Sequence, residues 1–487
     1  MAPSRIAIER DSGKPLYRQL REALEHEILS GALDLRQALP SSRELARELG
    51  LSRNTVNAAY MELEAEGYVE ARPCRGLFVN QEMIAALEPS APAPTASTSG
   101  DFSDVIRPLS TSDLPEIAKV RDWQRYPYPF IAGQVDPSSF PRLPWIRSLR
   151  QALEPPHLHY SVRDGVDEDD PLLIEELCRR VLPGRGIEAS PDQVLITNGA
   201  QQGLDLLAAA TLAPGDEVGV EDPGYPDARH IFTHAGATLR PLPVDAGGLV
   251  PPPSLDGLRL LHLTPSHHCP TNVTLGIGRR RDLLARAAEA DVLVIEDDYD
   301  SEFRYQGSPT PALKAIPGSD RVIYLGTFSK FLAPGLRLGY LVGPPEVVEG
   351  LRAYRRYRIR HTSGHEQRAM ALFIGSGQYQ RTVRRRRGQL SRRWEATRDA
   401  LADELGLSPD VPPGGVSIWV TGPPGLDCAR LAADALGEGV VIERGDTYFT
   451  DSAHNRQHFR VGFAAIDVER IRPGIARLAS LVRAQLA

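Results

Sequence analysis

Gly326-Thr327-Phe328-Ser329-Lys330 follows a buried-strand pattern and leads into Pro334-Gly335-Leu336-Arg337-Leu338-Gly339. A lysine at a strand-to-loop exit, beside hydroxyls and an arginine able to hold a phosphate, is placed to form a Schiff base. A solvated surface lysine is the plain alternative, and the residues upstream argue against it. Working outward, Val292-Leu293-Val294-Ile295-Glu296-Asp297-Asp298-Tyr299-Asp300 is a short apolar run ending in acids. It predicts a buried parallel strand that delivers Asp297 at its carboxyl end.

Taken together these residues point to pyridoxal 5′-phosphate. Its pyridine nitrogen is an electron sink only when protonated, so a buried carboxylate must pair with it, and Asp297 is the candidate. Tyr299 is placed to hydrogen-bond the ring hydroxyl. Thr197-Asn198-Gly199-Ala200-Gln201-Gln202-Gly203 follows Val194-Leu195-Ile196 and opens a helix, offering the phosphate backbone N–H groups and a positive helix end at Gly199, Ala200 and Gln201. Tyr225, in Glu221-Asp222-Pro223-Gly224-Tyr225-Pro226, is a candidate plate to stack on the pyridine ring; an ordinary turn tyrosine is the alternative.

Over residues 125–487 the order strand-Gly, Pro-Gly-Tyr, Asp-x-Tyr, Ser-Lys, Arg resembles the fold type I pyridoxal-phosphate aminotransferases. The resemblance implies an α/β transferase fold with a mostly parallel seven-stranded sheet in a large lobe (about 125–350). It also implies a small C-terminal α+β lobe (about 351–487) and a homodimer with cofactor sites at the subunit interface. It assigns phosphate contacts to Arg337 and Thr327. Arg460, in His458-Phe459-Arg460-Val461-Gly462, becomes the arginine that clamps the carboxylate of a substrate or effector, work that suits a bidentate guanidinium. Without the resemblance Arg460 reads as a strand residue with a surface charge.

The first eighty residues carry a different message. Leu16, Leu20, Leu24 and Ile28 recur at helical spacing between Pro15 and Gly31. Ser41 and Glu44 form a capping-box pattern, Gly50 sits at a tight turn, and Ser52 can cap a second helix running to Glu66. Two short capped helices joined at a glycine describe a helix-turn-helix. Arg53, Asn54, Thr55 and Asn57 open its second helix, able to read base edges or hold phosphates in a major groove. Residues 68–72 and 76–79 alternate as two strands around Pro73-Cys74-Arg75, a winged hairpin.

Residues 13–81 resemble the GntR-family winged helix, whose Leu-Pro-Ser-x-Arg and Ser-Arg-x-Thr-Val signatures stand at 39–43 and 52–56. By position the resemblance adds Arg43, and Arg72 and Arg75 in the wing, to the expected DNA contacts. The wing departs from the family's small, glycine-containing tip, since Cys74 and Arg75 precede Gly76.

The chain has 487 residues and a formal net charge of −7, and its first eighty residues nearly balance acids and bases. Net charge therefore does not announce a nucleic-acid binder, but arginines at 36, 43, 47, 53, 72 and 75 gather around the proposed recognition surface. Length suggests about three domains. Residues 88–100, rich in Pro, Ala, Ser and Thr, have almost no apolar bulk and fall in a linker drawn over 82–124. No twenty-residue apolar stretch and no signal peptide are read, and the four cysteines lack metal-ligand spacing, so a soluble protein of a reducing bacterial cytoplasm is expected. Arg384-Arg385-Arg386-Arg387, with Arg392 and Arg393, reads as a solvated helix over 377–401, with a second DNA-contacting patch as the alternative.

As a whole the chain resembles the MocR/GabR group of bacterial regulators, a GntR-type winged helix fused to an aminotransferase-like domain. The resemblance implies a head-to-tail homodimer, operator DNA as a partner, and an effector that is an amino compound or pyridoxal phosphate itself, sensed at Lys330 without net catalysis. The alternatives are a working aminotransferase carrying a DNA tether and a DNA-binding module whose body is only a dimerisation scaffold. His267-His268-Cys269-Pro270-Thr271-Asn272 occupies the place of an aminotransferase Asn-Pro-Thr-Gly element, with Asn272 replacing glycine; a metal reading of it lacks a further ligand group. Residues 160–165 and the acidic Asp167-Glu168-Asp169-Asp170 depart from the family, and Tyr160 is a weak candidate to reach a partner subunit's phosphate.

Overall fold

The structure is a computed structural model that describes residues 6, 8–10, 13–31, 33, 37–73, 75–83, 114–307, 310–406, 412, 414–453 and 455–487. Arg36, Cys74 and the linker stretch 88–100 lie outside the described residues. The chain divides into two compact units, Met1–Arg107 and Pro108–Ala487.

In the first unit, helix α1 (Leu16–Leu29) buries Leu20, Leu24 and Ile28, the expected stripe. Helices α2 (Ser42–Glu48) and α3 (Arg53–Ala65) form the helix-turn-helix. Both arms of the capping box are made: Ser41 N donates to Glu44 Oε2 at 2.9 Å and Glu44 N to Ser41 Oγ at 3.3 Å. Ser52 Oγ accepts from Thr55 N at 3.1 Å and so starts α3. Gly50 takes φ +62 between the two helices, a left-handed conformation that glycine adopts without a Cβ penalty. Strands β1 (Val69–Arg72) and β2 (Gly76–Val79) pair antiparallel from Val69↔Val79 to Arg72↔Gly76, and Leu39 N donates to Leu77 O at 2.8 Å along the outer edge. Val56, Ala59, Leu63, Val69 and Val79 close the core against α1.

The second unit holds an eight-stranded sheet. Its strands are β4 (Val194–Thr197), β5 (Glu217–Asp222), β6 (Thr238–Asp245), β7 (Gly248–Leu249), β8 (Leu258–Leu263), β9 (Leu293–Asp298), β10 (Val322–Thr327) and β11 (Gly339–Val342). Their order is β4-β11-β10-β9-β8-β5-β6-β7. The strands from β10 to β6 run parallel, whereas β11 is antiparallel to both β10 and β4, and β7 adds two antiparallel residues beyond the seven expected strands. Because β11 runs backwards between them, β4 and β10 point the same way. The carboxyl ends of β4, β5, β9 and β10 and the start of β11 therefore meet at one sheet edge, where ligands of open α/β sheets bind.

Strand residues alternate between two buried faces, as a doubly covered sheet requires. Ile323 and Leu325 of β10 join Leu204 and Leu207 of helix α7 (Ala200–Thr211) and Leu351 of helix α10 (Pro345–Ile359), while Val322 and Tyr324 are buried in the clusters of the opposite face. The intervening helices are α4 (Arg142–Ala152), α5 (Pro155–Val162), α6 (Pro171–Glu176), α8 (Pro226–His234) and α9 (Ile277–Glu289).

The C-terminal lobe has a three-stranded antiparallel sheet of β12 (Ser417–Thr421), β15 (His458–Gly462) and β14 (Glu443–Arg444), with helices α11 (Gly364–Gly375), α12 (Gln378–Leu405), α13 (Cys428–Gly437) and α14 (Val468–Leu486). Strand β3 (Tyr128–Pro129) pairs with β13 (Val440–Val441), so the segment that opens the body lies against this lobe.

In the basic run of α12, Arg384, Arg385, Arg387 and Arg392 are exposed, whereas Arg386 is buried and donates to Phe331 O at 2.7 Å; Arg385 and Arg387 also donate to Ser139 O and Glu302 O. Backbone carbonyls left over where loops end take up these guanidinium protons. In the acidic stretch 167–170, Asp167 and Glu168 are exposed and Asp169 and Asp170 are buried. Asp169 lies between Arg352 (2.7 Å) and Arg355 (2.6 Å), and Asp170 pairs with Arg368 (2.7 Å) while capping α6.

Candidate functional site

Each cofactor residue named from the sequence stands at the carboxyl edge of the parallel strands or just beyond it, Arg337 by preceding the reversed strand β11. Thr197 ends β4 and its hydroxyl donates to Gly199 O at 3.0 Å. Gly199, with φ +80, precedes α7 at its N-cap, so the free N–H groups of the first helical turn face outward there. Arg337 enters β11 in the left-handed region, φ 49, and donates to Asn198 O at 2.9 Å. Its guanidinium lies so close above Gly199 that a Cβ there would meet it at 3.2 Å. Asn198, Gln201, Gln202, Asp205, Ile231 and Arg337 line a shallow surface groove of about 420 Å³. Thr327 ends β10 and donates to Ser329 Oγ at 3.1 Å.

Asp297, His262 and Tyr299 are buried groups with unused hydrogen-bonding capacity. Asp297 is 4 % exposed at the end of β9, and its Oδ1 has no hydrogen-bond partner. Its Oδ2 is 3.7 Å from His262 Nε2, which also lacks a hydrogen bond. The Tyr299 hydroxyl is buried without a partner, and burial first, then Asp300, raises its pKa well above the usual phenol range, so it is a neutral donor. Lys330 Nζ lies 6.0 Å from the centre of the Tyr299 ring. Burial, and after it the Arg460 charge, lowers the Lys330 pKa, which raises its share of nucleophilic free amine. Buried polar atoms normally find partners, so such a group of orphans marks where a polar ligand belongs.

Arg460 is the clearest reversal of a reading made from the residues alone. It is buried on β15, not at the surface, with Nε donating to Ser417 Oγ at 2.7 Å and NH1 to the Tyr448 hydroxyl at 3.0 Å, and Glu443 lies 3.6 Å away. Tyr225 directly precedes α8 and its hydroxyl donates to Asp227 Oδ2 at 3.0 Å. In the departing segment, Asn272 sits at φ 60, a conformation that asparagine tolerates better than most residues. His267 pairs with Asp300 at 2.8 Å, and His268 contacts Thr271 Oγ1 at 2.7 Å and Pro223 O at 3.0 Å. Burial pushes the Cys269 thiol up to about 12, so it stays neutral. Among the described residues no His/Cys/Asp/Glu group is arranged to hold a metal, and no helix is long and apolar enough to cross a membrane.

Sequence reasoning missed His262, Gly133 and the Glu443–Tyr448 pair. A Cβ on Gly133 would come within 3.2 Å of Lys330 Nζ, and Tyr448 donates to Glu443 Oε2 at 3.0 Å. No motif in the chain signals these contacts: His262 meets Asp297 from the neighbouring strand β8, Gly133 reaches Lys330 from the segment that opens the body, and Glu443 and Tyr448 meet across the short turn after β14.

In the winged unit Arg43, Arg53, Asn54 and Asn57 are exposed, and Thr55 is half-buried by its contact with Ser52. Arg53 Nε reaches Ser42 Oγ at 3.4 Å. Arg72 is drawn onto the Phe78 ring at 4.5 Å and pairs with Glu70 at 2.7 Å, whereas Arg75 stands exposed at the tip of the wing.

The family profile of the bacterial regulatory proteins, gntR family, matches residues 16–79, and that of aminotransferase class I and II matches residues 166–478. The HTH-type transcriptional regulator TauR of Rhodobacter capsulatus is 40% identical over 469 residues, 96% of each chain. The probable rhizopine catabolism regulatory protein MocR of Rhizobium meliloti is 34% identical over 491 residues, 98% of this chain and 95% of that one. The chain belongs to the MocR-type HTH transcriptional regulators. MocR-type regulators join the two kinds of unit described above, and this one is a DNA-binding transcriptional regulator. Its body resembles the kynurenine aminotransferase of Pyrococcus horikoshii, solved with PMP, at a TM-score of 0.72 and 28% identity over 80% of this chain and 99% of that one. Pyridoxal phosphate is the cofactor of that fold, and the orphaned Asp297, Tyr299 and His262 atoms beside the Lys330 amine fit it.

Proposed function

We propose that this MocR-type regulator senses an amino compound, or pyridoxal phosphate itself, at Lys330, and transmits occupancy of the site to its winged helix. The observation that carries this reading is the depressed Lys330 amine beside unpartnered Asp297 Oδ1 and Tyr299 OH, in a chain that also carries a capped helix-turn-helix. In this reading the backbone N–H groups from Gly199 to Gln201, with Thr327 and Arg337, hold the phosphate. Asp297 keeps the ring nitrogen protonated, His262 orients that carboxylate, Tyr299 donates to the ring oxygen and Tyr225 covers a ring face. When bound, the cofactor supplies an aldehyde that condenses reversibly with a primary amine. Lys330 contributes the resident amine, and Arg460 takes an acid group of the effector.

The domain scheme belongs to the same proposal: a winged helix over 13–81, a linker over 82–124 and the body over 125–487. So do a head-to-tail homodimer and a cytoplasmic location.

An effector shifts DNA binding only if it favours one conformation of the dimer, and catalytic turnover is unnecessary for that. Under single-turnover conditions a cognate amine is therefore expected to change operator affinity, measured by fluorescence anisotropy, while keto-acid release stays slow. Rapid multiple-turnover transamination with operator binding indifferent to the same amines would favour the aminotransferase alternative.

On the DNA side, Arg43, Arg53, Asn54, Thr55 and Asn57, with Arg72 and Arg75 in the wing, are the proposed contacts. Arg53→Ala is expected to weaken binding to the operator by about 1–3 kcal/mol, with a much smaller loss on random DNA, if Arg53 reads a base edge. Affinity on both should fall steeply with salt. Equal losses on operator and random sequence would reassign Arg53 to the phosphate backbone.

A further inference from the structure

Between Gln378 and Trp394 helix α12 carries seven arginines and no acidic residue. The fold divides them by direction. Arg386 and Arg393 point inward, Arg386 onto Phe331 O at 2.7 Å and Arg393 onto Ala464 O at 2.6 Å and Asp136 at 3.0 Å, so they fasten the helix to the body. Arg385 and Arg387 are exposed, and each donates once to a backbone carbonyl, of Ser139 and Glu302 respectively. Arg381, Arg384 and Arg392 are exposed and, among the described residues, their side chains make no hydrogen bond or ion pair.

Positions 381, 384, 385 and 392 fall within an arc of about 100° on an α-helix, and the stripe they make is about 16 Å long. Arg142, exposed and likewise unpaired among the described residues, opens α4 three residues beyond the Ser139 carbonyl that Arg385 holds, and enlarges the patch. Like charges three and four residues apart on a helix repel, and here no acid offsets them. Other exposed arginines of the body are answered: Arg358 and Arg360 pair with Asp205 and Asp164, Arg430 with Asp434, Arg472 with Asp403 and Arg477 with Glu438. An unanswered stripe on a firmly anchored helix suits a partner that is itself a row of negative charges. Duplex DNA presents about one phosphate charge per 1.7 Å of its axis, and this chain is a DNA-binding regulator.

We propose that the exposed arginines of α12, with Arg142, form a second DNA-contacting face, on the aminotransferase-like body, which holds the phosphate backbone of duplex bound by the winged unit of the same chain. The contact reads no bases; it adds affinity and salt dependence. Because the patch and the DNA-reading unit share one chain, the second contact is made intramolecularly once the first is in place. The patch acts in this way whatever compound is sensed at Lys330.

The test is fluorescence anisotropy of the full-length, cofactor-loaded protein on a random-sequence duplex of about 60 base pairs, between about 50 and about 200 mM salt, since phosphate contacts need no operator. Arg381→Gln, Arg384→Gln and Arg392→Gln are combined in one variant, which removes three charges that no contact of the fold uses. It is expected to bind about tenfold or more weaker than wild type at the low-salt end, with a log–log slope of affinity against salt shallower by about two to three. The same three positions changed to lysine should stay within about threefold of wild type, because a phosphate accepts either cation. Arg430→Gln, Arg472→Gln and Arg477→Gln together change the net charge equally but away from the patch, and should cost less than about twofold. Should the glutamine variant not fold, Arg384→Glu alone decides the matter: a loss of about fivefold is expected, and none would overturn the proposal. An unchanged salt slope would overturn it too, as would a loss in the control variant as large as that in the stripe variant, or a wild type without affinity even at the lowest salt. Sedimentation velocity without DNA covers the remaining case, because a glutamine variant whose dimer has fallen apart would assign the stripe to a second copy of the chain and sink the DNA contact.

Discussion

Purified wild-type protein is expected to be yellow and to be bleached by borohydride, with the label recovered on the peptide that contains Lys330, whereas Lys330→Ala should carry no covalent adduct at all. The expectation follows from a lysine whose pKa is lowered by burial and then by Arg460, beside orphaned acceptor and donor atoms on Asp297 and Tyr299. The variant should nevertheless fold, because no hydrogen bond or ion pair of the Lys330 amine links it to the rest of the body among the described residues. Peptide mass mapping after reduction separates the outcomes. Cofactor trapped on a different lysine, or a wild type that stays colourless in excess pyridoxal phosphate, would remove Lys330 from the proposed role.

The second large effect concerns the foundation of the site. Asp169 is fully enclosed, accepting from Arg355 NH1 at 2.6 Å, Arg352 NH1 at 2.7 Å and Ile196 N at 3.2 Å. Arg355 NH1 also donates to Ile196 O at 2.6 Å, so the pair fastens helix α10 to the last residues of β4, directly before Thr197 and Gly199. Removing the carboxylate leaves a buried guanidinium without its counter-charge. Asp169→Ala should therefore cost about 3–5 kcal/mol in urea or thermal unfolding of the body. Uptake of pyridoxal phosphate should weaken as well, since Asn198 and Gly199 follow the strand the pair holds. A loss under about 1 kcal/mol, in the range of a surface salt bridge, would mean that water reaches the pair.

Neither Asp169 nor Arg355 is marked in the sequence as a partner of anything. No local spacing links the two residues, which lie 186 positions apart. Arg460 shows the same limit from the other side: on local pattern it is a charged strand residue, yet the small-lobe sheet buries it between Ser417, Tyr448 and Glu443.

The amino-acid sequence by itself determined the parts whose physics is local. Apolar runs of strand length ending in acids or hydroxyls made β9 and β10, a Ser-x-x-Glu box and a serine cap started α2 and α3, and Gly199 opened α7. Those signals depend on backbone preference and on partners a few residues away, and with the motif order they carried both halves of the family resemblance. Tertiary structure alone decided what surrounds them. The reversed strand β11 brings four loop-bearing strand ends to one edge; His262 reaches Asp297; and Glu443 rather than solvent faces Arg460. Burial and electrostatic pairing depend on which distant segments the fold packs together, and a one-dimensional pattern does not contain that information.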